Sequence, residues 1–245
     1  MRLKSILLLS LLILSCQNQS EIARKPQFKT IEDTPFLPIN EEIISKAVLY
    51  EANIRQYSVE GSFNAFAEDL PKLKKMGVKI IWLMPINPIS TTKSKGPLGS
   101  YYAVSNYTKV NPEFGTLKDF KSLVNKAHQL GMYVILDWVP GHTGWDHVWI
   151  KENSDYYLKN RKEEIIDPFD FRTGKSFGWT DVADLNYKNM QMREALRKAM
   201  VYWVEETNID GYRIDQAYAV PQEFYNKTFA ILKRIKPLFL LAETD

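Results

Sequence analysis

The chain has 245 residues, of which 45% are hydrophobic and 13% aromatic, enough for one sizeable core. Its 32 basic and 29 acidic residues are mixed along the sequence and leave a net charge of +3, which argues against a nucleic-acid groove. The single cysteine excludes an intrachain disulfide.

The start of the chain differs in kind from the rest. Arg2 and Lys4 precede an apolar run over residues 6–14, which is too short to cross a bilayer as a helix. This order predicts a signal peptide over residues 1–15 and therefore an exported protein. Residues 16–44 are largely polar and contain proline, which predicts a tether.

The end of the predicted signal peptide carries a second signal. Ser15 and Cys16 after Leu14 resemble the bacterial lipoprotein cleavage box, in which the cysteine becomes the lipidated first residue. The resemblance implies a lipid anchor at Cys16 and a protein held at a membrane on its periplasmic or outer face. An ordinary signal peptide followed by an incidental cysteine is the alternative.

From about residue 45 onward, apolar runs alternate with segments of helical spacing. Thr116 followed by Asp119 predicts a helix start, and Gly131 predicts its end. Buried strands alternating with helices indicate an α/β fold with a parallel sheet covered on both faces. The predicted strands are 46–54, 78–86, 132–139, 209–215 and 238–243, and the predicted helices are 63–76, 117–130, 192–206 and 222–235.

Charged residues stand at the ends of three predicted strands. Arg213 and Asp215 are two apart, so they share one face of a strand, and in a closed parallel barrel that face is the interior. Asp137 ends the third strand with His142 on the loop after it, and Glu243 ends the fifth strand. Each could have a structural role, as an ion pair, a loop cap, a turn residue or a surface acid. Together they indicate glycoside hydrolysis by a pair of carboxylates.

These residues lie in segments that resemble a known family. "LDWVPGHT", "DGYRIDQAY" and "LLAETD" resemble three ordered motifs of the α-amylase family of glycoside hydrolases, and "VADLNYKN" resembles an additional motif of that family. Residues 80–88 and 99–116 are similar to its second strand and following loop. The resemblance implies a (β/α)8 TIM barrel over residues 45–245, with a small inserted domain at 143–185 after the third strand.

The resemblance also implies catalytic roles. Asp215 would be the nucleophile of a retaining double displacement, and Glu243 would be the general acid and then the general base. Arg213 would keep Asp215 ionised and oriented, because a neighbouring cation favours the charged form of a carboxyl group. The implied substrate is an α-glucan, an oligosaccharide or an α-glucoside, and the implied chemistry requires no cofactor.

Further roles concern sugar and metal binding. Asp137 and His142 would hydrogen-bond the sugar at the reacting subsite, and Tyr102 would stack on it. Asp184 matches a position that binds structural calcium in the family, but Gly141 stands where many members have a calcium-binding Asn. Calcium is therefore doubtful from the sequence.

The length of the sequence sets a further expectation. A TIM barrel has eight strands, whereas five are predicted here, and the family's fourth motif, with its His and second Asp, is not found. We therefore expect a barrel truncated after about five strands, with little hydrolysis by this chain alone. A non-catalytic glycan-binding lipoprotein and an inactive structural relative are the alternatives. The joint presence of Arg213, Asp215 and Glu243 favours an enzyme.

Overall fold

The computed structural model describes residues 37–244. The predicted signal peptide, Cys16 and most of the predicted tether lie outside the described residues. Within residues 37–244, no helix combines the length and apolar character needed to cross a membrane.

The main sheet contains five strands that pair in parallel, in the same order as they occur in the chain. Every one of the five predicted strands is present, so the predicted α/β fold with a parallel sheet is confirmed. The strands are β1 Val48–Ala52, β2 Val78–Leu83, β3 Tyr133–Trp138, β4 Gly211–Ile214 and β5 Phe239–Ala242.

Helices connect the strands of this sheet and cover its outer face. They are α1 Glu41–Lys46, α2 Ile54–Tyr57, α3 Phe63–Glu68, α4 Leu70–Lys75, α5 Leu117–Gln129, α6 Val148–Glu152, α7 Met190–Thr207 and α8 Gln222–Ile235. At the start of α5, Thr116 and Asp119 form the predicted reciprocal cap. The single helix predicted over 63–76 is wrong. It is two helices, because the chain breaks at Asp69 and Pro71 occupies the first turn of α4.

Alternate residues of the strands face two different environments. In β3, Val134, Leu136 and Trp138 belong to the large core beneath the helices, whereas Tyr133 and Ile135 face inward. Asp137 follows the same alternation and also faces inward. The polar residues of the strands therefore collect on the inner face of the curved sheet.

Residues near the start of the described part close one end of this inner face. Ile39 is only 4% exposed and packs with Ile80, Tyr133 and Ile135. The hydroxyl of Tyr133 donates to the carbonyl of Leu37 at 2.9 Å. The end of the segment predicted as a tether over 16–44 thus includes a buried residue and the start of α1. The short stretch Leu37–Pro38–Ile39 gives no local sign of this burial in the sequence.

The segment between β3 and α7 contains two small antiparallel pairs. His142–Gly144 pairs with Val182–Asp184, and Phe169–Asp170 pairs with Lys175–Ser176. Tyr157 in the same segment belongs to the large core. The separate inserted domain over 143–185 stays a prediction.

The approach of β4 to β5 depends on a glycine. Gly211 pairs with Phe239 across the two strands. A Cβ atom on Gly211 would lie 1.7 Å from the carbonyl oxygen of Phe239, far inside any real contact distance. Only glycine therefore permits the observed spacing of these two strands.

Candidate active site

Four charged side chains meet at the carboxyl ends of β3, β4 and β5. Asp137 lies in β3 opposite Arg213 in β4, while Asp215 directly follows β4 and Glu243 directly follows β5. The carboxyl ends of parallel strands share one edge of the sheet, and in barrels that edge carries the active site. The structure therefore brings together the four residues that the sequence placed at three separate strand ends.

The guanidinium group of Arg213 contacts all three carboxylates. Its Nη1 donates to Asp137 Oδ1 at 2.8 Å and to Asp215 Oδ1 at 3.0 Å. Its Nη2 lies 2.9 Å from Glu243 Oε2. Arg213, Asp137 and Asp215 are buried, whereas the side chain of Glu243 is 41% exposed. A planar guanidinium offers several N–H donors in a fixed fork, which suits this shared contact.

Two aromatic side chains hold the carboxylate of Asp137 from the other side. Trp82 Nε1 donates to Asp137 Oδ2 at 3.1 Å, and the hydroxyl of Tyr102 donates to the same oxygen at 3.2 Å. The guanidinium carbon of Arg213 lies 5.0 Å from the centre of the Trp82 ring. Sequence reasoning missed Trp82. Its alternation with Ile80 along β2 is the signal that would have placed it on the inner face.

The turn after β4 is hydrogen-bonded to Glu243 at the end of β5. The main-chain nitrogen of Gln216 donates to Glu243 Oε2 at 2.8 Å, and that of Ala217 donates to the carbonyl of Glu243 at 3.1 Å. Gln216 has a φ of 44°, in the left-handed region that non-glycine residues rarely adopt. A strained backbone at this position therefore helps to fix the carboxylate of Glu243 beside Asp215.

Burial and mutual repulsion perturb the acids of the cluster. Burial and the negative charge of Asp137 raise the pKa of Asp215 to about 7, although the positive charge of Arg213 opposes this. Burial likewise raises the pKa of Asp137 to about 6, against the hydrogen bond and charge of Arg213. Arg213 thus acts on Asp215 in the direction expected from the sequence. Its charge does not outweigh the effects of burial and of the second carboxylate on the pKa of Asp215.

His142 lies next to this cluster rather than within it. Its side chain is buried and hydrogen-bonds the main chain of Tyr102. Burial lowers the pKa of His142 to about 4, against the charge of Asp181 and that hydrogen bond. The imidazole is therefore neutral near pH 7, and Tyr102 connects it to Asp137.

Asp184, the possible calcium position, ends the short strand Val182–Asp184, which pairs with His142–Gly144. Burial and the charge of Asp167 raise the pKa of Asp184 to about 7. The carbonyl of Gly141 already accepts a hydrogen bond from the main-chain nitrogen of Leu185 at 3.0 Å. Throughout residues 37–244, no three His, Cys, Asp or Glu side chains are grouped so that they could hold a metal ion.

The sequence of this chain matches a known family over more than half its length. Residues 36–230 match the model of the alpha-amylase catalytic domain, and the chain belongs to that family. Alpha-amylase 3 of Dictyoglomus thermophilum is 28% identical over 229 residues, which cover 83% of this chain and 44% of that protein. Trehalose-6-phosphate hydrolase of Escherichia coli is 32% identical over 178 residues, 63% of this chain and 31% of that protein.

Solved structures give the same answer for the fold. An alpha-amylase from Lactobacillus plantarum has a TM-score of 0.75 and 36% identity, over 81% of this chain and 45% of that chain. A maltogenic alpha-amylase from Thermotoga neapolitana has a TM-score of 0.75 and 35% identity, over 82% of this chain and 46% of that chain. The five-stranded sheet is thus part of an amylase-family TIM barrel. The chain spans less than half the length of these relatives.

Proposed function

We propose that this chain supplies catalytic residues of a glycoside hydrolase that acts on α-glucans or α-glucosides by a retaining double displacement. One observation carries the proposal: Arg213 holds Asp137, Asp215 and Glu243 together at the carboxyl ends of three neighbouring strands. The relatives include an alpha-glucosidase of Apis mellifera and a probable oligo-1,6-glucosidase of Bacillus subtilis. Their names support substrates built from α-linked glucose.

In the proposed first step, the carboxylate of Asp215 attacks the anomeric carbon. The bond to the leaving oxygen breaks as the carboxylic acid of Glu243 gives that oxygen its proton. In the second step, Glu243 takes a proton from water, the water oxygen attacks the anomeric carbon, and the bond to Asp215 breaks. This mechanism places the two carboxyl groups about 5–5.5 Å apart. A guanidinium shared by both carboxylates is compatible with that spacing.

The surrounding residues are proposed to bind the sugar. Asp137 is held by Arg213, Trp82 and Tyr102, so its carboxylate is fixed before substrate arrives. A fixed acceptor loses little entropy when a sugar hydroxyl binds. Tyr102 would stack on the sugar ring through its half-buried face, and His142 would hydrogen-bond a hydroxyl as a neutral imidazole.

The test uses two substrates, two variants of the proposed catalytic residues and one control variant, each made in the full-length protein. Asp215→Asn should lower the hydrolysis of maltooligosaccharides and of p-nitrophenyl α-glucoside by at least about a thousandfold. Glu243→Gln should spare much of the first step on the nitrophenyl substrate, because that leaving group departs without a proton. Asp170→Asn, at a partly exposed acid outside the cluster, should leave both rates unchanged. Hydrolysis that survives Asp215→Asn would refute the assignment.

A non-catalytic glycan-binding protein would behave differently in the same experiment. It would bind maltooligosaccharides without turning them over. Replacement of Arg213, Asp215 and Glu243 together would leave its affinity unchanged. The ion-paired cluster favours the enzyme, because binding alone does not require a nucleophile beside a general acid.

The location and cofactor needs of the protein are also proposals. The apolar run over 6–14 followed by Cys16 supports export and lipid attachment at that cysteine. We expect the protein to be labelled by radioactive palmitate and Cys16→Ser to abolish this labelling. Labelling that persists in Cys16→Ser would contradict the proposal.

The nucleophile and the general acid supply the proposed chemistry without a cofactor. EDTA should therefore leave hydrolysis and thermal stability unchanged.

A further inference from the structure

A row of aromatic rings leads away from the carboxylate cluster along the segment between β3 and α7. The ring of His142 lies 6.2 Å from the ring of Trp179. The ring of Trp179 lies 5.0 Å from that of Phe177, with 31° between their planes. Phe177 is 53% exposed, so the row ends in solvent. His142, Trp179 and Phe177 are called the aromatic row below.

The main chain that carries the row is anchored on several sides. The nitrogen of Phe177 donates to the carbonyl of Pro168 at 3.1 Å, and Lys95 Nζ donates to the carbonyl of Gly178 at 2.7 Å. The nitrogen of Val182 donates to the carbonyl of Trp179 at 3.2 Å. The rings of Trp179 and Phe177 are therefore carried on a fixed backbone, which reduces the entropy lost on binding.

The chemistry of the row fits one kind of ligand. A hexose ring has an apolar face of C–H groups and an equator of hydroxyl groups, so it can cover an aromatic ring while its hydroxyls meet polar atoms. Lys95 and Asp181 form an ion pair of 3.2 Å beside the row and supply such polar atoms. Aromatic rings with a few convergent polar groups are typical of small-ligand sites.

We propose that Trp179 and Phe177 form an outer sugar-binding subsite, which holds a glucose unit of the α-glucan chain beyond the two units that maltose places nearest the carboxylate cluster. The proposal rests on the proposed function, since it takes its ligand from that reaction. Continuity with the active site through His142 and Tyr102 favours a glycan over a protein partner. The subsite makes chain length a determinant of affinity.

A second aromatic pair on the same segment, with one exposed member, provides a matched control. The rings of Phe169 and Phe171 lie 4.6 Å apart, and Phe171 is 76% exposed. In the described residues, ring contacts join this pair to each other and not to the aromatic row. A general loss of exposed aromatic surface would therefore affect both pairs alike, whereas a subsite involves only the row.

The experiment measures binding rather than turnover. Full-length protein carrying Asp215→Asn is titrated with maltose and with maltoheptaose by calorimetry. Adding Trp179→Ala should weaken maltoheptaose binding about tenfold and leave maltose binding within about twofold. Phe177→Ala should give a smaller loss of the same kind, and Phe171→Ala should give none. Trp179→Phe, which keeps a flat ring, should restore most of the affinity for maltoheptaose.

The outcomes separate the subsite from the reaction. Equal maltoheptaose affinity with and without Trp179 would overturn the subsite while leaving the proposed function intact. A loss that Trp179→Phe fails to restore, or one that extends equally to maltose, would show a structural role and also overturn the subsite. Binding of neither sugar by the parent protein would refute the proposed function, and the subsite with it.

Discussion

Replacing Asp215 by asparagine should stabilise the fold while it removes the proposed nucleophile. Burial and the charge of Asp137 raise the pKa of Asp215 to about 7, well above its ordinary value of 3.8. At pH 8 the folded chain therefore carries a charge that the unfolded chain accommodates better. Asparagine keeps the shape of the side chain and removes that charge.

The raised pKa of Asp215 determines the sign and the pH window of the effect. Below pH 3.8 the group is protonated in both the folded and the unfolded chain, so its stabilising contribution is fully present. As the pH rises toward 7, the unfolded chain releases the proton first, and this contribution is lost. At about 1.36 kcal/mol per pH unit, the limit of the loss is about 4 kcal/mol. We expect Asp215→Asn to raise the free energy of unfolding by about 1–3 kcal/mol at pH 8. This is less than the limit, because Asp215 titrates together with the neighbouring carboxyl groups.

Thermal unfolding at pH 4.5 and pH 8 measures this difference. In a chain of this size, 1 kcal/mol changes Tm by about 2–4 °C, so Asp215→Asn should unfold about 3–10 °C higher at pH 8. The gain should shrink at pH 4.5. Asp170→Asn is the control, because the Arg172 main-chain N–H lowers the pKa of Asp170, and its loss should bring no gain. A lower Tm at pH 8, or an equal gain at both pH values, would refute the reasoning.

Three further perturbations test other parts of the structure. Asp210→Asn should lower the free energy of unfolding at pH 7 by about 3 kcal/mol, because Asp210 is buried against His128 and Lys236. A loss of stability that does not shrink as the pH falls toward 3 would contradict this. Trp82→Phe should lower the free energy of unfolding, measured in urea at pH 8, by about 1 kcal/mol, because it removes a hydrogen-bond donor to Asp137. A loss of equal size at pH 4.5 would argue against that cause. For the proposed hydrolase, kcat/KM should fall as the pH drops below about 7, because Asp215 attacks only when ionised. A kcat/KM that begins to fall only below pH 5 would exclude a raised pKa at Asp215.

The local features of the fold could be predicted from the sequence. Strand alternation placed Arg213 and Asp215 on one face, and helix α8 begins and ends where its apolar spacing indicated. The Thr116 cap is likewise a local pattern. These predictions hold because each depends on residues only a few positions apart.

The convergence of Asp137, Asp215 and Glu243 was expected from the sequence, but several particular contacts between distant parts of the chain were missed. The contact of Arg213 with Asp137 requires the register in which β4 pairs with β3, and no residue near Arg213 encodes it. Trp82 reaches Asp137 only because β2 lies on the other side of β3. The burial of Ile39 depends on three residues of β2 and β3. The raised pKa of Asp215 depends on the depth of its burial and on the charge of Asp137 beside it, which the sequence does not give.

The distance between the two proposed reacting carboxyl groups depends on the absence of a Cβ atom at Gly211 in β4. Asp215 ends β4 and Glu243 ends β5, and these strands come together where Gly211 faces the carbonyl of Phe239. A methyl group at position 211 would push the strands apart several residues before either acid. The lack of a side chain at Gly211 thus sets the spacing of two acids that it does not contact. Variation at this position would alter the spacing of the two acids, and with it the rate of the proposed reaction, although residue 211 makes no contact with the sugar.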